Sequence, residues 1–285
     1  MKLVTMTYVL EERYGLKAAI KMLKDVGFDA YDCTLGYSMN KGEFSGEDAL
    51  EKAREIRKYA DEIGMVCAQT HTPSHASDIK SMEYFLNGIE REELAVEISG
   101  ILGAEVAVVH PSSRTDAEGN YDLLYSKLIP IAKKYGMKIA CENMFAWKDK
   151  RAYESVPTAC GTPRDFKRYL DIANDDAFVA CLDIGHVHLP NNEKLDKFTE
   201  RLGAGLQALH VNDNDLWDDI HVFPFFGKIN WDEVCRELAK SNYKGNFTFE
   251  VDNFLRKFPN EVLPEALELL HATGRYLINK IESCR

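Results

Sequence analysis

The sequence predicts an α/β fold, a single (β/α)8 TIM barrel forming one domain over residues 1–285. Three observations carry this: eight short apolar or β-branched runs, helical periodicity between them, and no Gly/Ser/Pro-rich linker. Buried parallel strands read as nearly continuous apolar runs because both of their faces are covered. Eight such repeats in 285 residues fit a closed barrel better than an open doubly wound sheet.

The strands are read, in order, at residues 3–9, 30–35, 65–70, 105–110, 138–143, 178–184, 206–211 and 247–251. Helices are expected at roughly residues 47–63, 81–102, 121–135 and 264–281. Where a helix turns back to a strand, glycine stands at the position that takes left-handed backbone: Gly27, Gly64, Gly103 and Gly136. Thr162, followed by Pro163 and Asp165, has the form of an N-cap, a first-turn proline and a capping-box acid. Asn230 is read as the cap of a helix beginning at Trp231.

Composition narrows the function classes. A chain that is 45% hydrophobic and 28% charged is an ordinary soluble globular one. Its formal net charge of −11 offers no broad basic surface, so no nucleic-acid partner is expected. Seven cysteines without a CxxC pair point to reduced, buried thiols and a cytoplasmic setting. The first apolar run is too short for a signal h-region and no 18-residue apolar stretch occurs, so no membrane association is expected. GxSxG, Walker A and a Gly-rich turn after the first strand are all missing, against a serine hydrolase, a nucleotide-phosphate cradle and a dinucleotide fold.

The polar residues fall where a barrel does chemistry. A barrel strand is apolar until it emerges at its C-terminal, catalytic face. At or just beyond such ends stand His71, His110, Asp183, His186, His188, His210 and, in the loop after the seventh strand, Asp219 and His221. Glu142 and Glu250 each follow three apolar or β-branched residues, which delivers both carboxylates to the mouth. Any one of these groups alone would read as a hydrogen-bonded, salt-bridged or capping residue. Together they do not, because several carboxylates buried side by side are costly unless a cation compensates them. A divalent ion takes these donor types. The stretch from Phe223 to Phe226 reads as a hydrophobic wall over the mouth, and residues 213–219 as a solvated acidic loop apart from the final carboxylate. His75 and His271 receive no role.

As an ordered set, His71, His110, Glu142, Asp183, His186, His210, Asp219, His221 and Glu250 resemble the xylose isomerase-like TIM-barrel superfamily. That group holds sugar and sugar-phosphate isomerases and epimerases, inosose dehydratases and endonuclease IV. The resemblance covers nearly the whole chain, most strongly in CLDIGHVHL, LHVNDND and the loop through GKINW. It implies one divalent metal ion (Mn2+, Mg2+, Co2+ or Zn2+) on Glu142, Asp183, His210 and Glu250. It also implies His186 against a substrate oxygen. The endonuclease IV branch uses nine ligands for three zinc ions, and all nine have counterparts here. Residues 36–40 nevertheless lack that branch's DNA-pressing arginine, and residues 72–75 its aromatic. Residues 212–216 in turn lack the arginine common in ketose 3-epimerases.

The leading expectation is a metal-dependent isomerase or epimerase of a small sugar, sugar phosphate or cyclitol. Glu142 and Glu250 serve as its acid/base pair for proton transfer beside a carbonyl, and His71, His110, His186 and His221 bind substrate. The alternatives are a dehydratase of the same superfamily and a zinc-dependent abasic-site nuclease. A partner subunit over the aromatic loops would make the protein a homo-oligomer.

Overall fold

The computed structural model describes residues 1–73 and 82–285. Its strands are β1 (Leu3–Met6), β2 (Ala30–Thr34), β3 (Val66–His71), β4 (Val106–Val109), β5 (Lys138–Glu142), β6 (Phe145–Asp149), β7 (Glu154–Pro157), β8 (Phe178–Asp183), β9 (Leu206–His210) and β10 (Phe247–Phe249). Eight form one parallel sheet in the order β10-β1-β2-β3-β4-β5-β8-β9. A single parallel bridge, Val211 to Phe249, joins its two ends. There Val211 N donates to Thr248 O at 2.8 Å and Glu250 N to Val211 O at 3.0 Å. The result is a (β/α)8 barrel, as the run count predicts.

The period of two along each strand decides which side chains face inward. Val106, Val108, Ala140, Val179, Cys181 and Ala208 form a buried cluster of their own inside the barrel. Their outward-facing neighbours, such as Val109, Cys141, Ala180, Leu182 and Leu209, join the main core beneath the helices. Two residues further along the inward series come His110, Glu142, Asp183 and His210. The same alternation that fills the barrel therefore aims these groups at its mouth.

Local signals explain the rest. Gly27, Gly64, Gly103 and Gly136 end their helices with φ of 105°, 68°, 80° and 69°. Thr162 caps the helix Pro163–Ala173, accepting from Asp165 N at 3.2 Å. Asn230 caps Trp231–Lys240, accepting from Glu233 N at 3.3 Å. The capping box at Thr162 does not close, however: the Asp165 carboxylate accepts from Cys160 N at 2.9 Å instead.

Three expectations need correction. The first strand stops at Met6 because Thr7 opens a helix, Tyr8–Tyr14. The helix read over 121–135 begins earlier, at Ala117–Asn120, and passes through a π-helical turn, Tyr121–Tyr125, before Ser126–Tyr135. One wider turn barely disturbs hydrophobic periodicity, so the sequence does not reveal it. The β6–β7 hairpin, antiparallel and outside the barrel, was not foreseen. The helix read from residue 81 is Met82–Leu102; Ser81 and His75 lie outside the described residues. Among the described residues no helix is long and apolar enough to cross a membrane.

The last helix, Leu263–Ser283, closes over the barrel with Gly274 against it. A Cβ there would stand 2.4 Å from Leu3 Cδ1 and 2.7 Å from Phe249 Cε2, and both residues are fully buried. Gly274→Ala should lower unfolding free energy by about 1–3 kcal/mol, the usual cost of overpacking, despite alanine's better helix propensity. Urea unfolding checks this; an unchanged midpoint would mean that the contact yields freely.

Candidate metal centre

Glu142 ends β5, Asp183 ends β8, His210 ends β9 and Glu250 follows β10. Their ligand atoms all lie within 4.8 Å of one another. His210 Nδ1 is 3.2 Å from Glu142 Oε2 and 3.1 Å from Glu250 Oε2. His210 is fully buried, yet among the described residues neither of its ring nitrogens has a hydrogen-bond partner, and Glu250 Oε2 has none either. Donor atoms that converge without bonding one another are what a coordinated cation would satisfy. Three carboxylates and an imidazole are also a set that a hard or borderline divalent ion accepts. The residues present fit a metal.

Electrostatics reflect the crowding. Burial opposes ionisation of Glu142, but His210 and His110 outweigh it and hold this carboxyl well below the usual range. Glu250 is likewise held low by His210 and His221 against its burial. For Asp183 burial wins over His186, and its carboxyl is pushed up to about 7.

The other predicted residues surround this core. His110 Nε2 lies 3.0 Å from Glu142 Oε2. His71 Nε2 lies 3.8 Å from both Glu142 Oε2 and Glu250 Oε1, and its ring stacks on His210 at 5.1 Å. Burial and the neighbouring His110 bring the His71 imidazolium down to about 4. On the opposite flank His186, Asp219 and His221 form a second compact group. His186 Nε2 and His221 Nε2 stand 3.6 and 3.0 Å from Asp219 Oδ2. His71, His186 and His221 share one device: Nδ1–H donates to a backbone carbonyl, of Thr72, Asn143 and Glu250, at 3.0, 2.8 and 3.1 Å. A carbonyl can only accept, so each Nε2 is left facing the carboxylates. His188 also donates Nδ1–H to a backbone carbonyl, of Ile184 at 2.7 Å, but among the described residues it joins no ligand group.

Sequence reasoning missed the supports. Asn143 accepts from Asp183 N at 2.7 Å and donates to Asp183 O at 3.1 Å, joining β5 to β8. Asn212 Nδ2 donates to Asp183 Oδ2 at 2.9 Å. Their adjacency to Glu142 and His210 was the available signal. The acidic loop is not wholly solvated either. Asp213 is fully buried and accepts from Asn214 N, Ile229 N, Phe225 N and Trp231 Nε1 at 2.8–3.0 Å. It folds the loop that carries Asp219 and His221. The aromatic stretch is no wall over the mouth: Phe223 is buried against Phe254, and Phe225 turns to Trp231 and Tyr276.

A family model described as a xylose isomerase-like TIM barrel matches residues 20–273. An uncharacterized protein of Sinorhizobium fredii is 37% identical, over 83% of this chain and 81% of that protein. One from Methanocaldococcus jannaschii is 30% identical over 62% of this chain; the match spans 61% of that relative, under two thirds of its length. Among solved structures, a D-tagatose 3-epimerase-like protein superposes with a TM-score of 0.70 at 23% identity, over 99% of this chain and 100% of its own. An L-ribulose 3-epimerase gives 0.70 at 14% identity, over 100% and 95%. At such identities these structures establish likeness of fold.

Proposed function

The chain belongs to the xylose isomerase-like TIM-barrel family, and from that premise we propose that it is a divalent-metal-dependent sugar isomerase or epimerase. The observation that carries this reading is the bracketing of His210 by two carboxylates, Glu142 and Glu250, at the mouth of the barrel. Glu142, Asp183, His210 and Glu250 would hold a divalent cation, which would supply Lewis-acid polarisation of a substrate carbonyl and its neighbouring hydroxyl. Glu142 and Glu250 then act on the carbon beside that carbonyl: one takes its proton and the other returns one. His71, His110, His186 and His221 orient substrate oxygens around the pair. The fold shared with sugar 3-epimerases supports the same reaction class.

The assay is incubation of metal-loaded protein with a panel of free, phosphorylated and glycosylated ketoses, with products resolved by NMR. Conversion of a sugar to its epimer or aldose supports the reading, and no conversion across the panel counts against it. A second reading is favoured by one observation. His71–His110–Glu142 and His186–Asp219–His221 could each hold a further ion, giving the three-zinc pattern of an abasic-site nuclease. Three zinc ions per chain with cleavage of an abasic duplex would establish it. One ion and no cleavage would remove it.

The support around Asp183 gives a separate expectation. A Cβ on Gly185 would stand 1.9 Å from Asn212 Oδ1 and force Asn212 off Asp183. Gly185→Ala should therefore weaken metal affinity by roughly 10- to 100-fold, the usual effect of losing an outer hydrogen-bond partner. Competition with a chelator measures it, and unchanged affinity would show that Asp183 needs no such support.

A further inference from the structure

Two cavities meet at the barrel mouth and share His221 and Glu250. The smaller, about 330 Å³, lies over Glu142, Phe145 and His186. The larger, about 600 Å³, runs toward the loops after β1 and β2, past Tyr8, Tyr37, Lys41, Asp252 and Asn253. The smaller cavity is already at the lower end of ligand-sized pockets, roughly 300–1,000 Å³. A free sugar held by His71, His221 and Glu250 reaches only the inner end of the larger one and leaves its outer end, at Tyr8, Tyr37 and Lys41, unused.

The walls of the larger cavity are built rather than incidental. Tyr8 and Tyr37 hold their rings 5.1 Å apart at 36°. Arg256 backs Tyr8 at 4.5 Å and pairs with Glu12 at 3.3 Å. The buried Glu11, one turn beyond Tyr8, accepts from Ser38 Oγ at 2.5 Å and Glu43 N at 3.0 Å. It thereby ties the helix bearing Tyr8 to the turn bearing Tyr37. A Cβ on Gly42 would meet Glu11 Oε1 at 2.2 Å, so the chain closes directly over this tie.

The lining selects by charge. Among the described residues, the outer end of this cavity is lined by one lysine, Lys41, beside the carboxyl groups of Glu12 and Asp252, while His221 and Glu250 belong to its inner end at the metal centre. A phosphate at the outer end would meet one lining cation and two carboxyl groups. An uncharged polyol would find hydrogen-bonding carboxyl and amide groups together with aromatic faces for its C–H surface.

Resting on the sugar-isomerase reading above, we propose that the outer end of the larger cavity, at Tyr8 and Tyr37, is a second sugar subsite for an uncharged glycosyl ring. That ring is attached to the ketose at the metal centre, so the substrate is a keto-disaccharide or glycoside, not a free or phosphorylated ketose.

The test compares D-fructose, D-fructose 6-phosphate, maltulose and isomaltulose with metal-loaded protein. Binding is read by calorimetry and turnover by solvent deuterium uptake. At least one disaccharide should bind about tenfold tighter than D-fructose. Tyr37→Ala should remove about that factor for the disaccharide and leave D-fructose unchanged, while Tyr37→Phe, which keeps the ring face, restores it. Tighter binding of the phosphate, or equal binding of fructose and both disaccharides, overturns the subsite. Disaccharide binding that depends on Tyr37 without turnover of any sugar would leave the subsite standing and defeat the isomerase reading instead.

Discussion

Replacing Glu142 or Glu250 with glutamine is expected to lower turnover by roughly two to four orders of magnitude, the usual size of a general acid–base contribution. Glutamine keeps the shape and one oxygen but cannot accept the proton. Each glutamate also stands among the candidate ligands, so metal content must be measured in both variants and turnover compared at equal loading. The two losses should differ in kind. If one glutamate serves each face of the reacting carbon, a single variant should still exchange hydrogen with one epimer while failing to interconvert the pair. Near-wild-type turnover in both variants would remove the proton-transfer account.

Metal removal should have the other large effect. Glu142 and Asp183 are essentially without solvent contact, and Glu250 is 15% exposed. Without a cation their mutual repulsion is offset mainly by imidazoles whose protonation depends on pH. Burial works against the positive charge of His221, yet Asp219 and Glu250 keep it protonated up to about 10. His71, by contrast, gives up its proton at about 4. Chelation should reduce activity to background, and a matching divalent ion should restore it. At a metal concentration of about 100 Kd, binding adds about 2.7 kcal/mol to folding stability, which should raise Tm by roughly 5 °C in a chain of this size. Full activity in protein verified as metal-free would contradict the role given to Glu142, Asp183, His210 and Glu250.

Much of this was legible in the sequence, and the reason is the period of two. Apolar runs ending in Glu142, Asp183, His210 and Glu250 fix both the strand and its phase, since an inward Val108 or Cys181 dictates an inward His110 or Asp183. Glycines at helix ends and the caps at Thr162 and Asn230 follow from local chemistry alone. What stayed hidden depends on distant segments meeting. Asn143 and Asn212 look like ordinary polar residues until β5, β8 and β9 lie side by side. Asp213 reads as one more acid in a run until Ile229 and Trp231 fold back onto it. Tyr8 and Tyr37 are 29 residues apart, and only Glu11 bridging their loops makes them one wall.

If Glu142 and Glu250 exchange protons with solvent and substrate, a proton from solvent must reach the carbon beside the substrate carbonyl. The direct measurement is turnover in D2O by metal-loaded protein, with deuterium located in the product by NMR. Proton transfer through Glu142 and Glu250 predicts deuterium at that carbon alone, in product formed early in the reaction, and its loss in the Glu142→Gln and Glu250→Gln variants under conditions where metal is retained. Product that forms at the same rate with no solvent deuterium at that carbon, in wild type and variants alike, would contradict it.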